Sequence, residues 1–406
     1  MLENKKLTAI ALAVAATCCS LPMAAQAQSN VQIYGKLYPE LVRVNLSGAT
    51  ARTGPLNTMI GASAGGADLS TTSLDSPNSR LGFRGSEALG GGLKAIFQLE
   101  MGFGVDTGVN TSSTALFSRD TWVGLAGNFG TVRLGSMDTV YKNLGDTLSY
   151  LGISSGNFIS TSNILSKPGF GSSSASSFHL RRPNSVVYET PEFAGGFQGL
   201  FDYSLGEVAN DATRANVYST GIKYEAGPLY AAIAYERHND LFGGSKNVVS
   251  ALRNDSNPLA NSRDSAVRAT VQYKITNNTR AEVNLVDVKY SETGGAIGKF
   301  REYKHNTWSI AAEHKATEAI TLFASYGQST AGSCALVGTA ACSTNGLDGK
   351  MFNMGGGYYF SKRTMLFALA SYMGNGDAAT YNNLNNGTPL PGQDIKTFAF
   401  GISHSF

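Results

Sequence analysis

The chain has 406 residues and a formal net charge of +3, with charged residues at only 15% against the roughly 25% of an ordinary soluble domain. Glycine is abundant at 47 residues and aromatics reach 10%. Low charge with many aromatics excludes disorder, the near-balanced charge excludes a dedicated nucleic-acid binder, and past the leader no apolar run is long enough for a membrane helix.

In chain order, Lys5 and Lys6 precede an apolar run over residues 7–16, and Ala25-Gln26-Ala27 follows it. Residues 1–27 are expected to be a cleaved secretory signal peptide. Residues 28–406 are then one domain.

Beyond it the dominant signal has period two. In residues 93–103, Leu93, Ala95, Phe97, Leu99, Met101 and Phe103 alternate with Lys94, Gln98 and Glu100. Such alternation predicts a strand with two unlike faces. Residues 197–205, 266–275 and 397–406 read the same way. Residues 364–373 are apolar on both parities, and residues 279–290 change phase near Val286, as a bulge would make them do. Seven short turns (87–92, 127–130, 191–196, 226–228, 276–278, 316–319 and 361–363) alternate with eight longer polar connections (46–78, 104–118, 137–180, 206–215, 239–263, 291–304, 329–350 and 374–394). That count predicts an all-β fold, a 16-stranded antiparallel transmembrane β-barrel with short periplasmic turns and long outer loops. In lipid a sheet must close on itself to satisfy its backbone. Aromatics near the turns (Phe129, Phe193, Tyr224, Tyr358, Tyr359 and Phe360) suit an interfacial girdle.

Sixteen strands leave a bore that side chains cannot fill. Residues 137–180 hold many apolar side chains, among them Leu144, Leu148, Tyr150, Leu151, Phe158, Ile159 and Ile164. An exposed loop has no use for them, so this segment is expected to fold inward as a constriction. Arginines cluster around it: Arg80, Arg84, Arg119, Arg133, Arg181 and Arg182. The segment's own acids are Asp138 and Asp146, against Lys142 and Lys167. Across residues 79–182 nine basic residues face six acids. A surplus of guanidinium charge in a narrow bore favours anions. The alternative is that these arginines are solvated wall residues or ion-pair partners.

Cys334 and Cys342 stand eight positions apart in a small-residue stretch. Export to an oxidising compartment favours a disulfide between them, two free thiols being the alternative. No metal-ligand spacing, cofactor motif or nucleophile–histidine motif accompanies His179, His238, His305, His314 or His404, so no enzyme and no cofactor are expected.

Several blocks are similar to one known family. They are Val31-Gln32-Ile33-Tyr34-Gly35, Ser79-Arg80-Leu81-Gly82-Phe83-Arg84-Gly85-Ser86-Glu87, Trp122-Val123-Gly124-Leu125, Ser361-Lys362-Arg363-Thr364 and the ending Gly401-Ile402-Ser403-His404-Ser405-Phe406. Over essentially its whole length after the leader, the chain resembles the general porins of β-proteobacteria. The resemblance implies a homotrimer of such barrels in the outer membrane of a Gram-negative bacterium, bounded by lipid and lipopolysaccharide. It implies passive diffusion of small hydrophilic solutes and anions past an arginine cluster matched here by Arg80, Arg119 and Arg181. It also implies that Phe406 is read by the barrel-assembly machinery. Ser403 departs from the basic residue many relatives have there, and the acid-poor loop departs from an opposing carboxylate wall. A substrate-specific channel for sugars or small organic acids is the second reading.

Overall fold

The computed structural model describes residues 30–145, 147–153, 156–206, 215–338 and 341–406. The expected signal peptide and Asp146 lie outside the described residues.

One antiparallel sheet of sixteen barrel strands closes on itself. Strand β1 runs as Asn30–Leu37 and Glu40–Ser47, and β2 as Leu69–Asp75 and Arg80–Gly90. Both are interrupted at a proline, Pro39 and Pro77, which offers no N–H to a neighbouring strand. Across the adjacent breaks, the Tyr38 N–H donates to Ser79 Oγ at 2.8 Å. Then follow β3 (Leu93–Gly102), β4 (Thr121–Gly127), β5 (Gly130–Asp138), β6 (Arg181–Glu189), β7 (Phe197–Ser204) and β8 (Asn216–Ala226). The wall continues with β9 (Leu229–Asn239), β10 (Asn261–Thr276), β11 (Thr279–Thr293), β12 (Phe300–Lys315) and β13 (Ile320–Ser329). It ends with β14 (Gly349–Tyr359), β15 (Thr364–Asn375) and β16 (Asp394–Ser405). Closure pairs β16 with β1, from Ser47 against Asp394 to Glu40 against Gly401, and again at Lys36 against Ser405. The final residue completes the seam: Phe406 and Gly35 exchange backbone hydrogen bonds of 3.1 Å. A Cβ at Gly35 would fall 2.3 Å from the Phe406 ring, so only glycine lets that ring lie across β1.

All seven expected turns join neighbouring strands, and the long connections leave from the opposite end. The period-two reading also holds face by face. Val267, Val271 and Tyr273 point out of β10, while Ala266, Arg268, Thr270 and Gln272 are buried inside. Phe201, Ile233, Leu285, Ile310, Met354 and Phe400 extend this outer apolar belt around the wall. An exposed apolar surface on that scale marks contact with another phase. Phe129, Phe193, Tyr358 and Phe360 are exposed at the short-turn end.

Two expectations are corrected. The first connection is shorter than residues 46–78, because Leu69–Asp75 pairs with β1. There is also no bulge at Val286: β11 pairs with β12 in unbroken register from Thr279 to Ser291. Burial alternates without a slip, with Glu282, Asn284, Val286, Val288 and Tyr290 all inside. What changes is the surroundings. Farther along the strand the outer face carries Asp287 and Lys289, as suits water, while the inner face lies under a folded segment and becomes apolar.

Candidate functional site: the narrowed bore

That folded segment is the connection between β5 and β6. It forms two short helices, α1 (Val140–Gly145) and α2 (Ser162–Leu165), with a 3₁₀ turn at Tyr150–Gly152 between them. Its apolar side chains are the ones singled out in the sequence, and all are buried. Leu148, Tyr150, Leu151, Phe158 and Ile159 pack on inward-facing Phe323, Phe367 and Leu369. Tyr150 stacks on Phe323 with ring centres 4.6 Å apart. This explains why residues 364–373 are apolar on both parities: one face meets the outside, the other the segment. Val140, Tyr141, Leu144, Ile164 and Leu165 join a second cluster with Val286, Val288 and Tyr290.

Wall carboxylates hold the segment's backbone. Glu282 accepts the Thr147 hydroxyl and, at 2.8 Å, the Leu148 N–H. Glu313 accepts the Leu151 N–H at 2.8 Å, where Leu151 adopts a left-handed φ of 53°. Arg268 donates to the Gly145 carbonyl and Asn353 to that of Ile159. From β1, Lys36 Nζ donates to the Gly152 carbonyl at 2.8 Å. A recess of about 250 Å³ borders the segment between Asp138 and Lys142 on one side and Ser149, Thr161 and Glu282 on the other.

The arginines sit mainly on β2 to β6. Tyr34, Gly82 and Glu100 stand in one row across β1, β2 and β3. A Cβ at Gly82 would lie 2.5 Å from the Tyr34 ring. Glycine there lets Tyr34 lean over and donate its hydroxyl to Glu100 at 2.9 Å. Glu100 is buried and shared by two guanidiniums, Arg119 at 2.5 Å and Arg80 at 3.7 Å. Arg80 Nη1 is buried without a hydrogen-bond partner. Arg181 bridges Asp120 at 2.7 Å and Asp138 at 2.8 Å, and Lys142 reaches Asp138 at 2.9 Å. Asp120 lies in the loop before β4; burial pushes its carboxyl above the ordinary range and the nearby Asp138 adds to this, while Arg181 opposes both. Arg84 is exposed, bonded to Gln32 at 3.0 Å and placed 4.8 Å over the Tyr34 ring, a cation–π geometry. Arg133 pairs with Glu189 and stands over Trp122. Arg182 lies within electrostatic reach of Asp202 and Glu236.

The structure thus brings Arg80, Arg84 and Arg119 together around Tyr34 and Glu100, and places Arg181 with Asp138. Arg133 and Arg182 go to separate carboxylates. Sequence reasoning missed Glu100, Asp120 and Glu189 as the offsetting anions. Glu100 was visible as the one carboxylate on the polar parity of the cleanest strand, and Asp120 as the neighbour of Arg119. Cys334 and Cys342 form a disulfide with Cα atoms 5.7 Å apart. It staples the connection after β13, where Ser333–Leu336 adds a short strand against β12.

Residues 9–378 match the Gram-negative porin family. The chain belongs to that family. Relatives include the major outer membrane protein P.IB of Neisseria gonorrhoeae, 35% identical over 42% of this chain and 44% of that protein. Outer membrane porin protein 32 of Delftia acidovorans is 36% identical over 59% of this chain and 62% of its own length. An outer membrane porin of Bordetella pertussis is 28% identical over 73% and 77%. The chain therefore spans only about half to three-quarters of the length of these relatives. Among solved structures, an anion-selective porin from Comamonas acidovorans superposes with a TM-score of 0.68 at 23% identity, covering 93% of this chain and all of that one. The trimer form of OmpT from Vibrio cholerae gives 0.62 at 15% identity, covering 93% and 99%. These likenesses establish the fold, and the porin is an outer-membrane barrel.

Proposed function

We propose that this porin is a passive diffusion channel for ions and small hydrophilic solutes, with a weak preference for anions. The observation that supports it is the asymmetry of the narrowed bore. Arg80, Arg84, Arg119 and Arg181 line one wall, and Glu100, shared by two of them, cannot neutralise both. On the other side Glu313 is offset by Arg280 at 2.7 Å, and Glu282 is buried against the segment's backbone. Residues 137–180 are the constriction, and Asp138 tempers the field. A guanidinium surplus in a region of reduced dielectric concentrates anions.

Assembly as a homotrimer fits the low part of the wall. Strands β4 and β5 have 7 and 9 residues, against 16 in β10 and β12. The loop between β3 and β4 exposes Val109 and Leu116, apolar side chains that a neighbouring subunit would cover. Phe406, seated on Gly35 at the seam, is the residue an assembly machinery would read.

Planar-bilayer recording in a salt gradient tests the function. Open-channel conductance with a reversal potential on the anion side is expected. The triple variant Arg80→Ala/Arg119→Ala/Arg181→Ala should abolish that preference while conductance persists. An unchanged reversal potential in the triple variant would remove the arginines from the explanation.

A further inference from the structure

A second recess opens on the inner wall away from the arginines. It has a volume of about 250 Å³ and lies between the outer halves of β1 and β2, β16, and the connection after β15. Its floor breaks the usual rule for an inner face. Val42, Val44 and Leu46 on β1 and Leu69 on β2 all point inward, with Leu46 directly opposite Leu69; Val42 is buried beneath the inward segment and Val44 and Leu46 are half-buried. Leu69 is 56% exposed there. Over it lies the run Asn382-Asn383-Leu384-Asn385-Asn386, rich in neutral amides.

Two buried polar atoms in this lining lack partners. Asn383 is 3% exposed; its Nδ2 donates to the Phe158 carbonyl at 3.1 Å and to Ser371 Oγ at 3.0 Å, and its Oδ1 has no partner. The bond to a carbonyl fixes which end of the amide is which. Thr397, 5% exposed, has a hydroxyl with no partner. Buried polar groups are normally satisfied, and leaving one unsatisfied costs about 1–3 kcal/mol. No lysine or arginine lines the recess; its one charged side chain is Asp75, tied to Asn385 at 2.8 Å.

We propose that this recess is a binding subsite for an uncharged, hydroxyl-rich solute of monosaccharide size. The C–H face of a pyranose covers Val44, Leu46 and Leu69. With a small opening of the lining, one hydroxyl donates to Asn383 Oδ1 and another oxygen accepts from Thr397. Asp75 disfavours anions here, so neutral solutes stop at one wall while anions follow the arginines. Access to the subsite rests on the reading of the bore as an open passage; the binding chemistry does not.

The test is equilibrium dialysis of the full-length protein in detergent micelles with labelled D-glucose. Saturable millimolar binding is expected, competed by other neutral monosaccharides and not by gluconate, its carboxylate counterpart. Thr397→Val keeps the shape and removes one hydrogen bond, so affinity should fall about 3- to 10-fold. Val44→Phe fills the recess and should abolish binding. Non-saturable uptake by the parent protein, or equal affinity in both variants, would overturn the subsite. Bilayer conductance is measured separately: an open pore that binds no glucose refutes the subsite alone, and glucose binding without conductance refutes the channel alone.

Discussion

Glu100 holds Arg80 and Arg119 together, and its removal has a definite sign. Glu100→Gln keeps the size and the acceptor oxygen for Tyr34 while deleting the charge, so the reversal potential should move further toward anions. Arg119→Ala should move it the other way. Reversal potentials of both variants in one salt gradient check this, and equal shifts would argue against electrostatic control by this pair. Lys167 gives a pH dependence. It lies in the inward segment, its Nζ donates to Asn163 Oδ1 at 3.0 Å, and burial pushes its ammonium down to about 8. A depressed lysine loses its charge as pH rises through that value. Anion preference should therefore weaken between neutral pH and about pH 9, where an ordinary lysine near 10.4 stays charged. Lys167→Gln should flatten the profile over that window. At this scale the arginines were legible because they cluster around the long apolar-rich connection. Which carboxylate each one pairs with was not: Arg119 and Glu100 stand 19 positions apart and Arg181 and Asp120 stand 61 apart, and only the folded wall brings such pairs together.

The inward segment is an element that owes its position to the wall. It has few turns of helix, and its polar anchors come from the wall: β1, β8, β9 and β10 to β14. Glu282 and Glu313 accept three of its N–H or O–H donors, and hydrogen bonds to charged groups are worth about 1.5–3 kcal/mol each. Glu282→Ala/Glu313→Ala should release the stretch around Leu148 and Leu151. Single-channel conductance should rise and its fluctuations grow as the bore widens. Unaltered conductance would mean that the packing on Phe323, Phe367 and Leu369, with the remaining wall anchors, holds the segment without the two carboxylates. The same packing explains what sequence reading found and missed. Apolar residues in a long loop identified the inward fold, because a solvated loop would not contain them. The apparent phase slip near Val286 misled, because alternation reports contact with lipid or water, and here one strand crosses from lipid to water outside while passing under protein inside.

For the whole molecule, the decisive energy is that of the outer surface. Leu285 is 59% exposed and points out of β11 between Trp308 and Ala269 of the flanking strands. If this belt meets hydrocarbon, Leu285→Arg buries a charge in lipid at a cost of about 2–4 kcal/mol at the midplane. Ser291 is on the same strand and face, six residues toward the outer end. At about 3.3 Å per residue that is roughly 20 Å along the strand, past Asp287 and Lys289 and opposite Glu302. Ser291→Arg should therefore be tolerated. Folding yields into lipid vesicles, read as the heat-modifiable fraction on a gel, should fall sharply for Leu285→Arg and match the parent for Ser291→Arg. In detergent micelles, which adapt around a charge, the gap between the two should shrink. Equal yields in vesicles would mean that the belt is covered by something other than lipid, and the barrel would then have to be placed in a different medium.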